Sequence, residues 1–132
     1  MQIELLEIDF NSEEAIYMQL RNQIILGIAT SRLQDGDTLP SVRQMAECIG
    51  INMHTVNKAY AVLRKEGIVS IDRRKGAVIC IDSNKLLALE EMRQNLYIIL
   101  AKGRCHNISR QAHRLLDEIY DMWEQSPEDP LE

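Results

Sequence analysis

The chain has 132 residues, a formal net charge of -5 and a hydrophobic content of 45%. These values are typical of a small globular protein and leave room for about one domain with an appendage. Nothing approaches the roughly eighteen apolar residues of a membrane span, and the acidic N-terminus is unlike the basic start of a secretory signal. We therefore expect a cytoplasmic protein that does not enter a membrane.

The N-terminal segment predicts one long helix. An apolar and acidic run from Ile3 to Phe10 precedes Asn11 and Glu14, which are spaced as a capping box. A helix is expected from about Ser12 to Ser31, and residues 34–37 are expected to form a surface loop. The predicted helix carries an apolar stripe that indicates packing beneath the elements that follow: Ile16, Leu20, Ile24 and Ile28.

The next segment predicts two short helices joined by a tight turn. Pro40 keeps the preceding residue out of the helical region, and Ser41 and Gln44 form an S-x-x-Q capping box. Gly50 supplies the positive φ that ends this helix, and Asn52 can cap the next one. The inward positions of the first helix are Val42, Met45, Ala46 and Ile49.

The second of these helices is amphipathic in a way that suits DNA. Its apolar stripe consists of Val56, Ala59, Tyr60 and Leu63. Its N-terminal end gathers other side chains away from that stripe: Asn52, Met53, His54, Thr55, Asn57 and Lys58. In helix-turn-helix proteins, polar groups at the N-terminal end of the second helix contact base edges in the major groove.

A basic hairpin follows the second helix. Gly67 ends the helix, and alternating apolar residues predict two strands, with Ile68, Val69 and Ile71 in the first and Val78, Ile79 and Ile81 in the second. The tip is Arg73-Arg74-Lys75-Gly76, whose three adjacent cations suit phosphates or a narrow minor groove. Such a tip alone is usually a solvated turn. Beside a helix-turn-helix it predicts a winged helix-turn-helix that binds duplex DNA.

The residues from Ala15 to Cys80 resemble the DNA-binding domain of the GntR family of bacterial transcription regulators. The resemblance rests on the loop G-D-T-L-P-S-V-R at 36–43, on N-M-H-T-V-N-K-A-Y at 52–60, and on Glu66-Gly67. The short remainder is similar to the YtrA-type branch, in which two helices follow the wing. The resemblance implies a dimeric repressor, and with the residue pattern it gives this predicted DNA-binding set: Ser41, Arg43, Asn52, His54, Thr55, Asn57, Lys58, Arg73, Arg74, Lys75 and Gly76.

Two further helices are predicted after the wing. Asp82-Ser83-Asn84 is expected to cap a helix that runs to about Lys102, where Gly103 breaks it, and Ser109 is expected to cap the last helix. In both helices, apolar residues recur at alternating spacings of three and four residues. Ala112 belongs to this pattern in the last helix, and Tyr120 widens the apolar face of that helix. These apolar residues predict a homodimer interface: Leu89, Met92, Leu96, Ile99, Leu115, Leu116, Ile119, Met122 and Trp123.

These elements predict a mainly α fold with a small β-hairpin wing, a winged helix-turn-helix followed by a C-terminal helical hairpin. We expect a DNA-binding domain at residues 1–82 and a two-helix dimerisation region at residues 83–132. The net negative charge does not oppose this, because residues 38–76 hold seven cations and three acids, whereas residues 86–132 hold five cations and nine acids. Residues 126–130 are expected to form a frayed tail.

Enzymatic and metal-binding readings have little support. The sequence has no phosphate-binding glycine loop and no nucleophile elbow, so we expect neither a catalytic site nor a cofactor. Cys105-His106 and His113 could contribute to a zinc site, but their spacing matches no standard finger, and no metal is expected. Cys48, Cys80 and Cys105 contain no C-x-x-C pair, and buried reduced thiols are expected.

Two function classes stay open. The favoured one is a sequence-specific transcription regulator, a homodimer that represses by binding a palindromic operator in double-stranded DNA. The alternative is a protein-interaction adaptor with little DNA affinity. A protein-binding surface would more often carry Tyr, Trp or Leu at these positions, whereas this chain has the basic wing and Asn57, which favours DNA binding. Two helices cannot enclose a typical ligand pocket of about 300–1,000 Å3. A small-molecule effector, still unknown, would therefore lie between subunits or against the winged domain.

Overall fold

The structure, a computed structural model, describes residues 6–81 and 84–124. Within these residues the chain forms five helices and one antiparallel two-stranded hairpin, which confirms the predicted fold class. The helices are α1 (Ile16–Ala29), α2 (Val42–Ile49), α3 (Met53–Lys65), α4 (Lys85–Cys105) and α5 (Ser109–Glu124), and the strands are β1 (Val69–Asp72) and β2 (Gly76–Ile79). The chain divides into two compact units between Ile81 and Asp82. The unit that ends at Ile81 is here called the winged unit, and the unit that contains α4 and α5 is called the helical hairpin. The predicted caps Asp82 and Ser83 and the predicted tail at 126–130 lie outside the described residues.

The core of the winged unit joins α1, α2, α3 and the wing. Leu20 and Ile24 of α1 are fully buried, as the predicted stripe requires, while Ile16 and Ile28 at its ends are half-buried. The predicted inward faces of α2 and α3 are also confirmed. The largest fully buried side chains are Leu20, Ile24, Met45, Val56, Leu63 and Ile79.

The start of α1 differs from the prediction. The helix begins at Ile16 rather than Ser12, and the capping box of Asn11 and Glu14 does not form. The Glu14 amide instead donates to the Ser12 hydroxyl at 3.0 Å, and the buried Gln19 side chain donates to the Glu14 carbonyl at 2.9 Å. Local side-chain hydrogen bonds of this kind compete with a helix and stabilise a turn.

The connection between α2 and α3 follows the predicted caps. Ser41 and Gln44 form both hydrogen bonds of the capping box, each at 3.1 Å. Gly50 ends α2 with a φ of 81°. Asn52 caps α3 by accepting the Thr55 amide at 2.9 Å. These short-range bonds satisfy the helix ends, and the short turn sets the angle at which the two helices cross.

A loop segment is hydrogen-bonded alongside β2 of the wing, which the sequence did not indicate. β1 and β2 pair in the register Val69↔Ile79 to Asp72↔Gly76, and Ile68 and Ile81 lie outside the strands. The expected surface loop is bonded to β2, because the Gly36 amide donates to the Ile79 carbonyl at 2.7 Å and the Ile79 amide donates to the Asp37 carbonyl at 2.8 Å. Val69 and Ile79 are buried, whereas Ile71 near the tip is 54% exposed. The base of the wing is therefore part of the core, whereas its tip projects beyond the core.

The bend between α4 and α5 is also placed differently. Gly103 does not break α4, which continues to Cys105. Asn107 takes the left-handed conformation with a φ of 58°, and the Ile108 amide donates to the Gly103 carbonyl at 3.0 Å, as in a Schellman motif. Ser109 is the first residue of α5 rather than its cap. Asn84 caps α4 as predicted, accepting the amide of Leu87 at 3.1 Å.

The prediction of buried cysteines is wrong. Cys48, Cys80 and Cys105 are all exposed and form no disulfide. Cys48 lies on α2 outside the stripe that faces the core, and Cys80 follows the last residue of β2. Their exposure follows from position on each element, which the hydrophobic character of a thiol does not override.

Candidate nucleic-acid interface

The exposed face of α3 is the centre of the site. Burial of Val56, Ala59, Tyr60 and Leu63 fixes the rotation of the helix and leaves its other face outside the core. His54, Asn57 and Lys58 are exposed on that outer side. These three predicted residues are therefore brought together on the N-terminal half of one helix, the part that enters a major groove in helix-turn-helix proteins.

Two of the predicted reading residues have a structural role. The side-chain oxygen of Asn52 accepts the Thr55 amide at 2.9 Å and the Thr55 hydroxyl at 3.2 Å. This oxygen is committed to the start of α3, whereas the Asn52 amide group remains a donor. His54 and Asn57 are exposed without such a bond among the described residues. They are consequently the side chains of α3 with the most freedom to contact base edges.

Arg43 lies on the first turn of α2. Its side chain is exposed, and within residues 6–81 and 84–124 it is in neither of the ion pairs. Ser41, by contrast, uses its hydroxyl to accept the Gln44 amide in the capping box. The guanidinium of Arg43 therefore has its donors available for a phosphate or a guanine edge, whereas Ser41 mainly sets where the helix begins.

The wing tip is a tight turn organised by one carboxylate. Asp72 accepts the backbone amides of Arg74 at 2.7 Å and Lys75 at 2.9 Å. These bonds lower the pKa of the Asp72 carboxyl, first through Lys75 and then through Arg74. Gly76 completes the turn with a φ of 83°, and the side chains of Arg73, Arg74 and Lys75 are exposed. Asp72 was not among the predicted site residues, although an Asp at the start of a turn is a recognisable signal for bonds to the amides two and three residues further on.

Two contacts hold α3 against its neighbours. The buried Tyr60 hydroxyl donates to the Pro40 carbonyl at 2.7 Å, which ties α3 to the start of α2. Burial raises the pKa of the Tyr60 phenol above its ordinary value. Arg21 of α1 donates to the Glu66 carboxylate, with 2.9 Å between Nε and Oε1, and this hydrogen bond raises the pKa of Arg21. The recognition helix α3 is thus fixed near its middle and at its C-terminal end.

Lys58 has a neighbour that sequence reasoning missed. Its ammonium nitrogen lies 4.2 Å from the centroid of the Tyr17 ring, a cation–π contact between α3 and α1. The two residues are far apart along the chain, and no motif connects them. Only the packing of α1 against α3 brings them together.

The described residues contain neither a candidate metal site nor a candidate membrane-spanning helix. Residues 6–81 and 84–124 contain no group of three or more His, Cys, Asp or Glu side chains that could hold a metal. The candidate set of Cys105, His106 and His113 therefore does not form a metal site there. None of the described helices is long and apolar enough to span a bilayer.

A recognition helix with exposed polar residues, preceded by a capped helix and followed by a basic hairpin, defines a winged helix-turn-helix DNA-binding protein. Residues 12–79 match the family described as "Bacterial regulatory proteins, gntR family". The chain belongs to the GntR family and is a DNA-binding transcription regulator.

Individual relatives support this assignment. The HTH-type transcriptional repressor YtrA of Bacillus subtilis is 35% identical over 116 residues, 88% of this chain and 79% of the relative. A transcriptional antiterminator from Listeria monocytogenes has a similar structure, with a TM-score of 0.76, 29% identity, and coverage of 86% of this chain and 88% of that one. YtrA from Sulfolobus acidocaldarius, a GntR-family transcription factor, gives a TM-score of 0.57 and 36% identity over 70% of this chain and 97% of that one.

Proposed function

We propose that the chain is a homodimeric repressor that binds a palindromic operator. The relative YtrA of Bacillus subtilis is described as a repressor, which supports this sign of regulation. The structural observation that carries the dimer is the exposed apolar surface of the helical hairpin. Residues 1–82 bind DNA and residues 83–132 dimerise under this proposal. It assigns no catalytic activity to the protein. We also propose a cytoplasmic location, because the DNA that a bacterial regulatory protein binds lies in the cytoplasm.

The first step concerns DNA. We assign base contacts to His54 and Asn57, whose side chains are exposed on the front half of α3. Arg43 is assigned to phosphate or to a guanine edge, and the wing cations at 73–75 are assigned to phosphates, which gives affinity without sequence preference. Asn52, Thr55, Ser41 and Gly76 support these contacts through the backbone geometry described above.

The second step concerns α4. Tyr97, Ile98, Ile99 and Leu100 are consecutive and are 73%, 58%, 60% and 43% exposed. Successive residues of an α-helix point about 100° apart, so these four surround most of the helix. One neighbouring helix covers only a single stripe. This single turn of α4 is apolar on all sides, so covering it requires neighbours on several sides, which α5 alone does not supply.

The third step concerns the predicted interface residues. Leu96, Ile119 and Trp123 are half-buried in the helical hairpin. The other six predicted residues are more than 40% exposed: Leu89, Met92, Ile99, Leu115, Leu116 and Met122. An open cleft of about 410 Å3 also lies between α4 and α5, with Tyr97, Leu100 and Leu116 among its walls. A second hairpin related by a two-fold axis would cover this surface and form a four-helix bundle.

Light scattering on the full chain tests the dimer. The expected result is a dimer at tens of micromolar, and Ile99→Glu should make it monomeric because two carboxylates would enter the interface. Ile71→Glu is the matched control, since Ile71 is similarly exposed, at 54%, but lies on the wing. A monomeric parent protein, or an Ile99→Glu variant that stays dimeric, contradicts the proposal.

A gel shift with the DNA upstream of the protein's own gene tests the operator. The parent protein should shift this duplex, and Arg43→Ala should weaken binding more than any other single change while leaving circular dichroism unchanged. A dimer that shifts no duplex would favour the adaptor function instead. An Arg43→Ala variant that binds as tightly as the parent would show that α2 does not contact DNA.

A further inference from the structure

The contact between Lys58 and Tyr17 joins the reading helix to α1. The Lys58 ammonium lies 4.2 Å from the centroid of the Tyr17 ring, well within the range of a cation–π interaction. Tyr17 is half-buried and packs against the core of the winged unit, whereas the Lys58 side chain is exposed. The core therefore fixes the ring, and the ring in turn fixes the ammonium.

The position of Lys58 on α3 separates it from the base-reading residues. Lys58 follows His54 by four residues, so both side chains start on the same outer face of the helix. The Tyr17 ring belongs to the first turn of α1, and it draws the ammonium away from that face toward α1. A recognition helix places base contacts near its N-terminus. With the front of α3 in a major groove, the displaced charge would lie beside the groove, where the sugar–phosphate backbone runs.

The chemistry of the contact leaves Lys58 able to bind an anion. The ring attracts the charge through its face, but it does not replace a hydrogen-bond acceptor for the three N–H donors of the ammonium. Neither ion pair found within residues 6–81 and 84–124 includes Lys58. A lysine acts as a point charge toward phosphate, so the direction of approach matters less than the place where the charge is held.

We propose that Tyr17 is a positioning residue for DNA binding, whose ring holds the Lys58 ammonium for a backbone phosphate beside the major groove. Holding the side chain before binding reduces the conformational entropy lost when the complex forms. Lys58 then contributes affinity and salt dependence rather than base preference. This inference rests on the proposed insertion of the front of α3 into the groove.

Fluorescence anisotropy across a salt series tests the inference, with a labelled duplex from upstream of the protein's own gene. Lys58→Met should reduce the slope of log affinity against log salt by about 0.9 for each bound subunit. Tyr17→Leu should weaken binding about two- to fivefold per subunit, the range expected for an exposed cation–π contact. Tyr17→Phe keeps the ring and should bind like the parent.

The double variant Tyr17→Leu/Lys58→Met distinguishes positioning from a merely structural role. If Tyr17 acts through Lys58, the double variant should bind as well as Lys58→Met alone. A further loss in the double variant, or equal binding by Tyr17→Leu and the parent, overturns the inference. If Asn57→Ala still relaxes operator preference in that case, the insertion of α3 stands and only the role of Tyr17 is wrong. If neither Asn57→Ala nor Lys58→Met changes binding, the proposed insertion itself fails.

Discussion

Tyr60→Phe should lower stability at neutral pH and make it less sensitive to alkali. The Tyr60 hydroxyl donates to the Pro40 carbonyl at 2.7 Å, and the side chain is only 5% exposed. Removing this hydrogen bond should cost about 1 kcal/mol at pH 7. Burial also raises the pKa of the Tyr60 phenol above the ordinary value of about 10. The unfolded chain therefore releases this proton at a lower pH than the folded chain.

The consequence for pH dependence has a definite sign. The stability linked to the Tyr60 proton is fully present below about pH 10 and is lost above it at about 1.4 kcal/mol per pH unit. The parent protein should thus lose about 1.4 kcal/mol more than Tyr60→Phe by about pH 11. This loss exceeds the advantage of the parent at pH 7, so Tyr60→Phe should be at least as stable as the parent there. Other titrating groups are common to both proteins and cancel from this comparison.

Urea unfolding at pH 7 and pH 11, at one fixed protein concentration, measures both effects. The control is Tyr17→Phe, because no hydrogen bond of the Tyr17 hydroxyl is found within residues 6–81 and 84–124, so its loss should change stability little at either pH. A difference between the parent and Tyr60→Phe that is the same at both pH values would refute the account of Tyr60.

Gly50→Ala should lower the free energy of unfolding by about 1–2 kcal/mol in thermal melts, because Gly50 has a φ of 81° and open space around it, so only backbone strain acts. Gly103→Ala should instead add about 0.5–1 kcal/mol, since Gly103 is helical and an added Cβ would lie 3.7 Å from Ile108, an ordinary contact. Arg74→Ala should reduce the salt slope of binding by about 0.9 for each bound subunit in anisotropy titrations. Asn57→Ala should relax operator preference in competition with altered duplexes.

The features that the sequence predicted correctly depend on neighbouring residues. The capping box of Ser41 and Gln44 and the cap at Asn52 require side chains only three positions apart, and both form. The apolar stripe of α3 depends on helical periodicity and is buried as a unit. Such signals are complete within a few residues, so the sequence alone specified α2, the turn and α3.

The features that the sequence did not predict depend on competition or on distant contacts. Asn11 and Glu14 have the spacing of a capping box, but Ser12 and the buried Gln19 bind the same turn and α1 begins later. The sequence placed Lys58 in the site, but its partner Tyr17 lies on another helix. No local pattern contains such a pair, because the packing of α1 on α3 creates it.

The two units differ in how their structure is stabilised, and this difference bears on DNA affinity. The winged unit has fully buried side chains from several elements, whereas neither α4 nor α5 has a buried residue among those described. Two helices without a buried core are marginal in water, since most helical stability in proteins comes from packing. Under the proposed dimer, folding of the hairpin and pairing of subunits are therefore coupled. Dilution should then lower operator affinity and hairpin helicity together, whereas the winged unit stays folded. Circular dichroism and anisotropy measured over the same concentration series would contradict this coupling if affinity fell while helicity stayed constant.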